Sequence, residues 1–473
     1  MEENISKAKI AGLSYTIGNI ILKCIVFFSL PIFTKLMSPT DFGIYNNYIA
    51  YETIISAVLG LGFYSTIKKA FFEFKRDFNS FYSSITLFML LNFIVLFILV
   101  LSFNTQLTKL TGFDTEILII LMCQSFGSAL LLIYASFLNV TFKYKEYLII
   151  SFINSITNIL ISIFLVIFCF PNASYFGRII GTAIPYFLVA SYIIFIVFYN
   201  GGFKLKKNYI KFALFMGCPL VPHVIAQFIL NQSDRLLISK YIDDYSSGLY
   251  SYAYNICTIL LVVLQSMDSS WTSWSYYKYE IHDNNIVKEK SKDYMLFSFN
   301  VFIGFVCLAP EVFKLMADES YWAGIDMILP LALSMFFLFL YFIPVNLEYY
   351  KKKTIFVSLG TIGAALINIV LNVLLIPKYS FSVAAYTTLI SYFLLFMIHF
   401  IISLKYEIRD KYDVKVMLLV FIFSIIIFLG LTLISKYKYI YIVIRYFILL
   451  CDCLFIIIYF KKYYINILKK RRN

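Results

Sequence analysis

Thr34-Lys35-Leu36-Met37-Ser38-Pro39-Thr40-Asp41-Phe42-Gly43-Ile44-Tyr45-Asn46 returns 205 residues later as Ser239-Lys240-Tyr241-Ile242-Asp243-Asp244-Tyr245-Ser246-Ser247-Gly248-Leu249-Tyr250-Ser251, with eight residues from Lys to Gly in both copies. Self-similarity at a fixed offset signals a fold built from duplicated units. A second correspondence, at an offset of 207, sets Asn139-Val140-Thr141-Phe142-Lys143-Tyr144-Lys145 over Asn346-Leu347-Glu348-Tyr349-Tyr350-Lys351-Lys352. Each copy ends an apolar stretch and opens a basic turn. Two agreeing offsets weigh against chance matching between low-complexity apolar segments.

The surroundings of both copies are apolar. With 61% hydrophobic residues, a mean hydropathy of +0.83 and 14% charged residues, the chain does not suit a water-soluble globule. A spanning helix needs about 20 mostly apolar residues to cross a hydrocarbon core roughly 30 Å thick. Such segments fall near 10–33, 44–67, 81–103, 116–140, 147–169, 176–199, 211–233, 248–275, 294–316, 327–349, 354–376, 382–404, 415–434 and 439–460. No connection exceeds about twenty residues, so no separate soluble domain is expected.

The connections alternate in charge. Of the 40 Lys and Arg, 29 lie on the N-terminus, the even-numbered connections and the tail, 9 on the odd-numbered ones, and Lys23 and Arg445 within spans. The positive-inside rule then places both termini in the cytoplasm and favours fourteen spans. The net charge of +14 is spread over eight cytoplasmic connections. Anionic lipid headgroups explain that better than nucleic acid. The first apolar segment is too long for a signal h-region and lacks a small-residue cleavage site, so it is expected to remain as a helix. The eight cysteines, such as Cys24, Cys123 and Cys169, show no paired pattern, and Cys451 and Cys453 lack partners for a metal site. No metal or cofactor is expected.

Six spans separate the repeat copies, an even number, so both halves enter the membrane in the same direction. The expected fold is an all-α polytopic membrane protein with two parallel-repeat six-helix lobes, 1–205 and 206–405, and an appended helix pair with a basic tail at 406–473. Two equal lobes with a cleft between them is the architecture of a rocking transporter.

The segment Leu30-Pro31-Ile32-Phe33 through Tyr45 resembles the start of Wzx-type polysaccharide flippases of the MOP (MATE-like) exporter superfamily. Asn231-Gln232-Ser233-Asp234-Arg235, Gly248-Leu249-Tyr250 and Asn368 to Pro377 resemble later parts of the same family. Lys378-Tyr379-Ser380-Phe381-Ser382 departs from the Gly-rich turn common there. The resemblance implies a flippase in the bacterial cytoplasmic (inner) membrane. It would carry undecaprenyl-diphosphate-linked oligosaccharide repeat units from the cytoplasmic to the outer leaflet, for capsule, O-antigen or exopolysaccharide. Membrane lipids, H⁺ or Na⁺ as coupling ion, and the polysaccharide polymerase are the partners to expect.

Polar residues inside spans mark sites or water-filled cavities, since a charge at mid-membrane costs on the order of 2.5–3.5 kcal/mol on insertion scales. Thr16, Asn19 and Lys23 share one helical face; Tyr48, Glu52 and Ser56 share another; His223, Gln227, Asn231 and Asp234 form the longest stripe, with Arg235 beside it. Thr258, Gln265, Asp268 and Thr272 line one side of the eighth span. Lys23 is the foremost candidate to attract the diphosphate and Arg235 the second, with Asn19, Asn231 and Gln227 completing a cargo-binding set. Glu52, Asp234 and Asp268 are the candidates to carry a coupling ion. The competing structural readings pair Lys23 with Glu52, make Asp234 and Arg235 a cap on the seventh span, and make His223 a polar lining for a kink at Pro219 and Pro222. Arg445 and Asp452 are expected to form a salt bridge, and His399 to be a satisfied interior histidine. Tyr48, Tyr250, Trp271 and Trp274 are candidates for stacking on sugar rings.

Competing functions follow. A MATE-type ion-coupled exporter usually has twelve helices and fewer cavity lysines. A lipid II flippase has fourteen, but its arginine-rich first and second helices are not evident here. A polymerase would be expected to carry a large extracellular loop, and a membrane acyltransferase a histidine in a catalytic setting, which His399 lacks in sequence. An enzyme is therefore not expected.

Overall fold

Lipid offers no partner to a backbone N–H or C=O, so a chain this apolar must satisfy both within helices. The computed structural model describes the backbone of residues 2–472 and the side chains of residues 18, 19, 21–459 and 461; it is helical, with no strand among the described residues. Thirteen helices there are long and apolar enough to cross a membrane. A further helix, Glu2–Leu36, precedes them. The side chains of Lys7, Lys9, Thr16 and most of the basic tail lie outside the described residues.

Helices overrun the predicted spans: Asp244–Glu280 contains the span placed at 248–275, and Pro39–Glu73 contains that at 44–67. The start of the latter is set locally. Ser38 Oγ accepts the Asp41 N–H at 3.1 Å, and Pro39 occupies the first turn, where its missing N–H costs nothing. The same span breaks at Leu61 and Gly62, with φ of 49° and 68°. A Cβ on Gly62 would meet the Gly217 backbone, and one on Gly217 the Leu61 carbonyl. Gly217 itself precedes a tight turn at Cys218–Leu220, so two helix breaks abut.

The chain forms two compact units, Met1–Gly248 and Leu249–Asn473. The first includes Val221–Tyr241, which packs along Pro39–Gly60 although the repeat counts it with the second half. Its core is aromatic: Phe63, Phe78, Phe81, Tyr82, Phe126 and Tyr134 are buried together. The second unit is built around Ile328–Tyr350, packed chiefly on Val383–Ser403. The most apolar stretch of the span containing it is 89% buried, against 22% for Val414–Ile434 and 11% for Lys438–Tyr459. Those last two helices turn Ile422, Phe423, Val443 and Phe447 outward, as a lipid-facing surface requires.

Arg445 corrects one expectation. Its guanidinium pairs with Glu311 (2.8 and 2.5 Å) and donates to the Cys307 carbonyl at 2.9 Å, and does not bridge to Asp452. Two turns separate Arg445 from Asp452 along one helix, about 10.5 Å of rise, too far for an ion pair. Glu311 on the neighbouring helix supplies a two-pronged acceptor instead.

Candidate functional site

Repeat copies meet side by side in the first unit. A Cβ on Gly43 would run into the Asp244 carbonyl, and one on Gly248 into the Pro39 carbonyl. The contact is reciprocal, because Pro39 and Asp244 are equivalent in the repeat, as are Gly43 and Gly248. Only glycine at both positions lets the backbones approach so closely.

Side chains reinforce the contact. Asn47 Nδ2 donates to Asp244 Oδ1 at 3.0 Å, and Ser239 donates to the same oxygen. The Ser247 hydroxyl lies 3.0 Å from Asn47 Oδ1 and 3.1 Å from the Arg235 carbonyl. Arg235 is buried and donates from Nη1 to Asn46 Oδ1 at 3.4 Å. Arg235 thus belongs to a polar clasp with Asn46, Asn47, Asp244 and Ser247.

The other residues of the expected cargo set are spread along two helices. Lys23 is exposed, Asn19 accepts from the Tyr147 hydroxyl at 2.8 Å, Gln227 is exposed and Asn231 is half-buried. No ion pair joins Lys23 to Glu52 among the described residues; Glu52 is buried with Oε1 unbonded and Ser128 on its carboxylate. Asp234 is fully buried. Beside these, Arg178 stacks its guanidinium 3.6 Å from the Phe33 ring centroid and donates to Asn158 at 2.9 Å. The sequence places Arg178 near a connection, and only the fold turns it inward.

In the second unit Asp268 sits among neutral donors. Tyr294 Oη lies 3.1 Å from one carboxylate oxygen, Asn346 Nδ2 3.0 Å, and Thr272 Oγ1 3.5 Å from the other. Trp271 stacks on Tyr294 at 4.5 Å, nearly parallel, and donates to the Tyr412 hydroxyl at 3.1 Å. One turn away, Ser269, Ser270 and Ser273 are exposed on a membrane-spanning helix. Each of these hydroxyls donates to the carbonyl four residues back, of Gln265, Ser266 and Ser269.

Two buried polar clusters escaped sequence reasoning. His399 and Glu348 are both fully buried with Nδ1 and Oε1 2.9 Å apart, so His399 does have a carboxylate partner, which distance along the chain concealed. Gly360 leaves room for the imidazole ring, which a Cβ there would strike. Asn372 Nδ2 donates to Asn368 Oδ1 at 3.2 Å, and Asn372 Oδ1 accepts from the Thr387 hydroxyl at 2.5 Å. Their i, i+4 spacing was the available signal.

Residues 11–272 match the family described as polysaccharide biosynthesis protein. No curated protein matches the chain. Several solved structures share its fold. A lipid II flippase, MurJ, in an inward closed conformation superposes with a TM-score of 0.66 at 18% identity, covering 94% of this chain and all of that one. An inward-facing multidrug resistance transporter of the MATE family, MOP superfamily, gives 0.58 at 15%, covering 85% and 98%. A MOP superfamily transporter from Pyrococcus furiosus gives 0.54 at 15%, covering 86% and 96%. At these identities the likeness shows the fold alone.

Proposed function

We propose, from the premise that this chain belongs to the polysaccharide biosynthesis protein family, that it flips lipid-linked oligosaccharide repeat units across a bacterial cytoplasmic membrane, from the cytoplasmic to the outer leaflet. Family membership is the observation that carries the reading. Exposed polar side chains in the first unit support it: Gln227, on the span Lys207–Tyr241, and Lys23, on the helix Glu2–Leu36, both lack the burial that would excuse them from water. In this reading Lys23 meets the undecaprenyl diphosphate, Asn19, Gln227 and Asn231 contact the headgroup, and Arg235 engages cargo only after Asn46 releases it. The route alternates between the two sides of the membrane, and the lipid tail stays in the bilayer. Glu52, Asp234 and Asp268 are the candidates to carry H⁺ or Na⁺. Glu52 fits best, because one of its oxygens is buried without a partner among the described residues.

Deleting the chain from its host tests this. Lipid-linked oligosaccharide should accumulate on the cytoplasmic face, and identifying its sugars names the cargo; undiminished surface polysaccharide would refute the proposal. Lipid II is the second reading, favoured by the full-length superposition on MurJ. Rescue of a strain depleted of its lipid II flippase would support that cargo instead.

A further inference from the structure

The first unit holds a half-open cavity of about 270 Å³ lined by Lys143 and by side chains of Phe78–Ser102, Thr115–Val140, Tyr144–Phe164 and Ser174–Gly201. Its floor is aromatic. Phe137 lies 4.7 Å from Tyr82 and 5.9 Å from Tyr134, with planes inclined by 26° and 9°. Tyr134 donates to the Glu146 carboxylate, and Lys143 Nζ stands 3.9 Å from that carboxylate at the exposed rim. Tyr82 is 2% exposed, and its hydroxyl has no hydrogen-bond partner among the described residues. A buried phenol without a partner is costly, and a polar guest would relieve it.

The lining is asymmetric. Acceptors lie inside, namely a carboxylate, phenol oxygens and ring faces, whereas the cation sits at the rim. That order suits a guest with its ammonium inward and an anion outward. Tyr192 belongs to the cavity wall and also to an exposed aromatic row with Phe195 and Tyr199 on the same helix. Such rows occupy the membrane–water interface, at headgroup depth.

The geometry points to a binding site for the headgroup of phosphatidylethanolamine. The ammonium donates to Glu146 and Tyr82, the phosphodiester meets Lys143, and the acyl chains lie along the Tyr192–Phe195–Tyr199 row. A choline head would bring methyl groups where N–H donors are needed, and a glycerol head carries no cation.

The test is lipid retention by the full-length chain in detergent, read by native mass spectrometry with phosphatidylethanolamine, phosphatidylcholine, phosphatidylglycerol and soluble glycerophosphoethanolamine. Phosphatidylethanolamine should be held about tenfold more tightly than the other two lipids, and Glu146→Gln should abolish that preference. Tyr82→Phe keeps the ring in the core, so it reports on recognition even if Glu146→Gln fails to fold; it should weaken retention about threefold. Equal retention of the three lipids, a preference that survives both substitutions, or soluble glycerophosphoethanolamine binding as tightly as the lipid would overturn the assignment.

Discussion

Lys23 and Arg235 are both cations on long helices of one unit, Glu2–Leu36 and Val221–Tyr241, and the fold treats them oppositely. Arg235 is buried and hydrogen-bonded to Asn46, with Ser247 against its carbonyl. Lys23 is exposed and forms no ion pair among the described residues. A buried guanidinium needs fixed polar partners to offset its desolvation, so Arg235 acts as part of the clasp that holds the repeat copies together. An exposed ammonium among apolar neighbours such as Ile21 and Val26 needs water or an anionic guest. Burial therefore separates a cation held in place by the fold from one open to its surroundings.

The contrast can be broken first at its buried end. Arg235→Ala should lower stability by on the order of 3 kcal/mol, because it empties the buried volume of the guanidinium and removes its hydrogen bond to Asn46 Oδ1; an unchanged thermal midpoint in detergent would mean the clasp holds nothing. Gly248→Ala should follow at about 2 kcal/mol, since the new Cβ meets the Pro39 carbonyl, with Gly43→Ala equivalent across the repeat. A neutral result at either glycine would show that the close contact opens at little cost.

Lys292 supplies an intermediate case, half-exposed and 3.3 Å from Asp413. Burial of Asp413 opposes its charge, but the Val416 N–H and Lys292 outweigh it and hold the carboxyl below its ordinary range. Its contribution is then present above the unfolded value of about 4 and lost as pH falls through the folded one. Asp413→Asn should cost about 1 kcal/mol at pH 7 and flatten the stability profile on the acid side of the unfolded value. An identical acid profile in the variant would remove Asp413 from that transition. Lys23→Ala should be the mildest, within about 0.5 kcal/mol of the parent.

What the sequence disclosed and what it hid divide along physical lines. Spanning helices were legible because lipid enforces apolar runs of fixed length, and they overran their predicted ends because helices continue past the hydrocarbon; Val221–Tyr241 extends beyond the span ending at 233. The repeat singled out Gly43 and Gly248, and those residues touch. Partners of buried polar groups were not legible. Arg445 takes Glu311, His399 takes Glu348, and Arg235 takes Asn46, each from another helix far away in sequence. Helical phase tells which residues share a face, whereas the packing of helices decides what that face meets. Asp268 shows the same limit: its phase on Asp244–Glu280 was readable, and its cage of Tyr294 and Asn346 was not.

The most direct measurement compares Lys23→Ala with Lys23→Arg in cells lacking the native chain, at matched membrane levels, by quantifying lipid-linked oligosaccharide on the cytoplasmic face. Accumulation with alanine and its relief with arginine is the predicted result. Normal surface polysaccharide and no accumulation with alanine would contradict the role of Lys23 as the cation that meets the cargo.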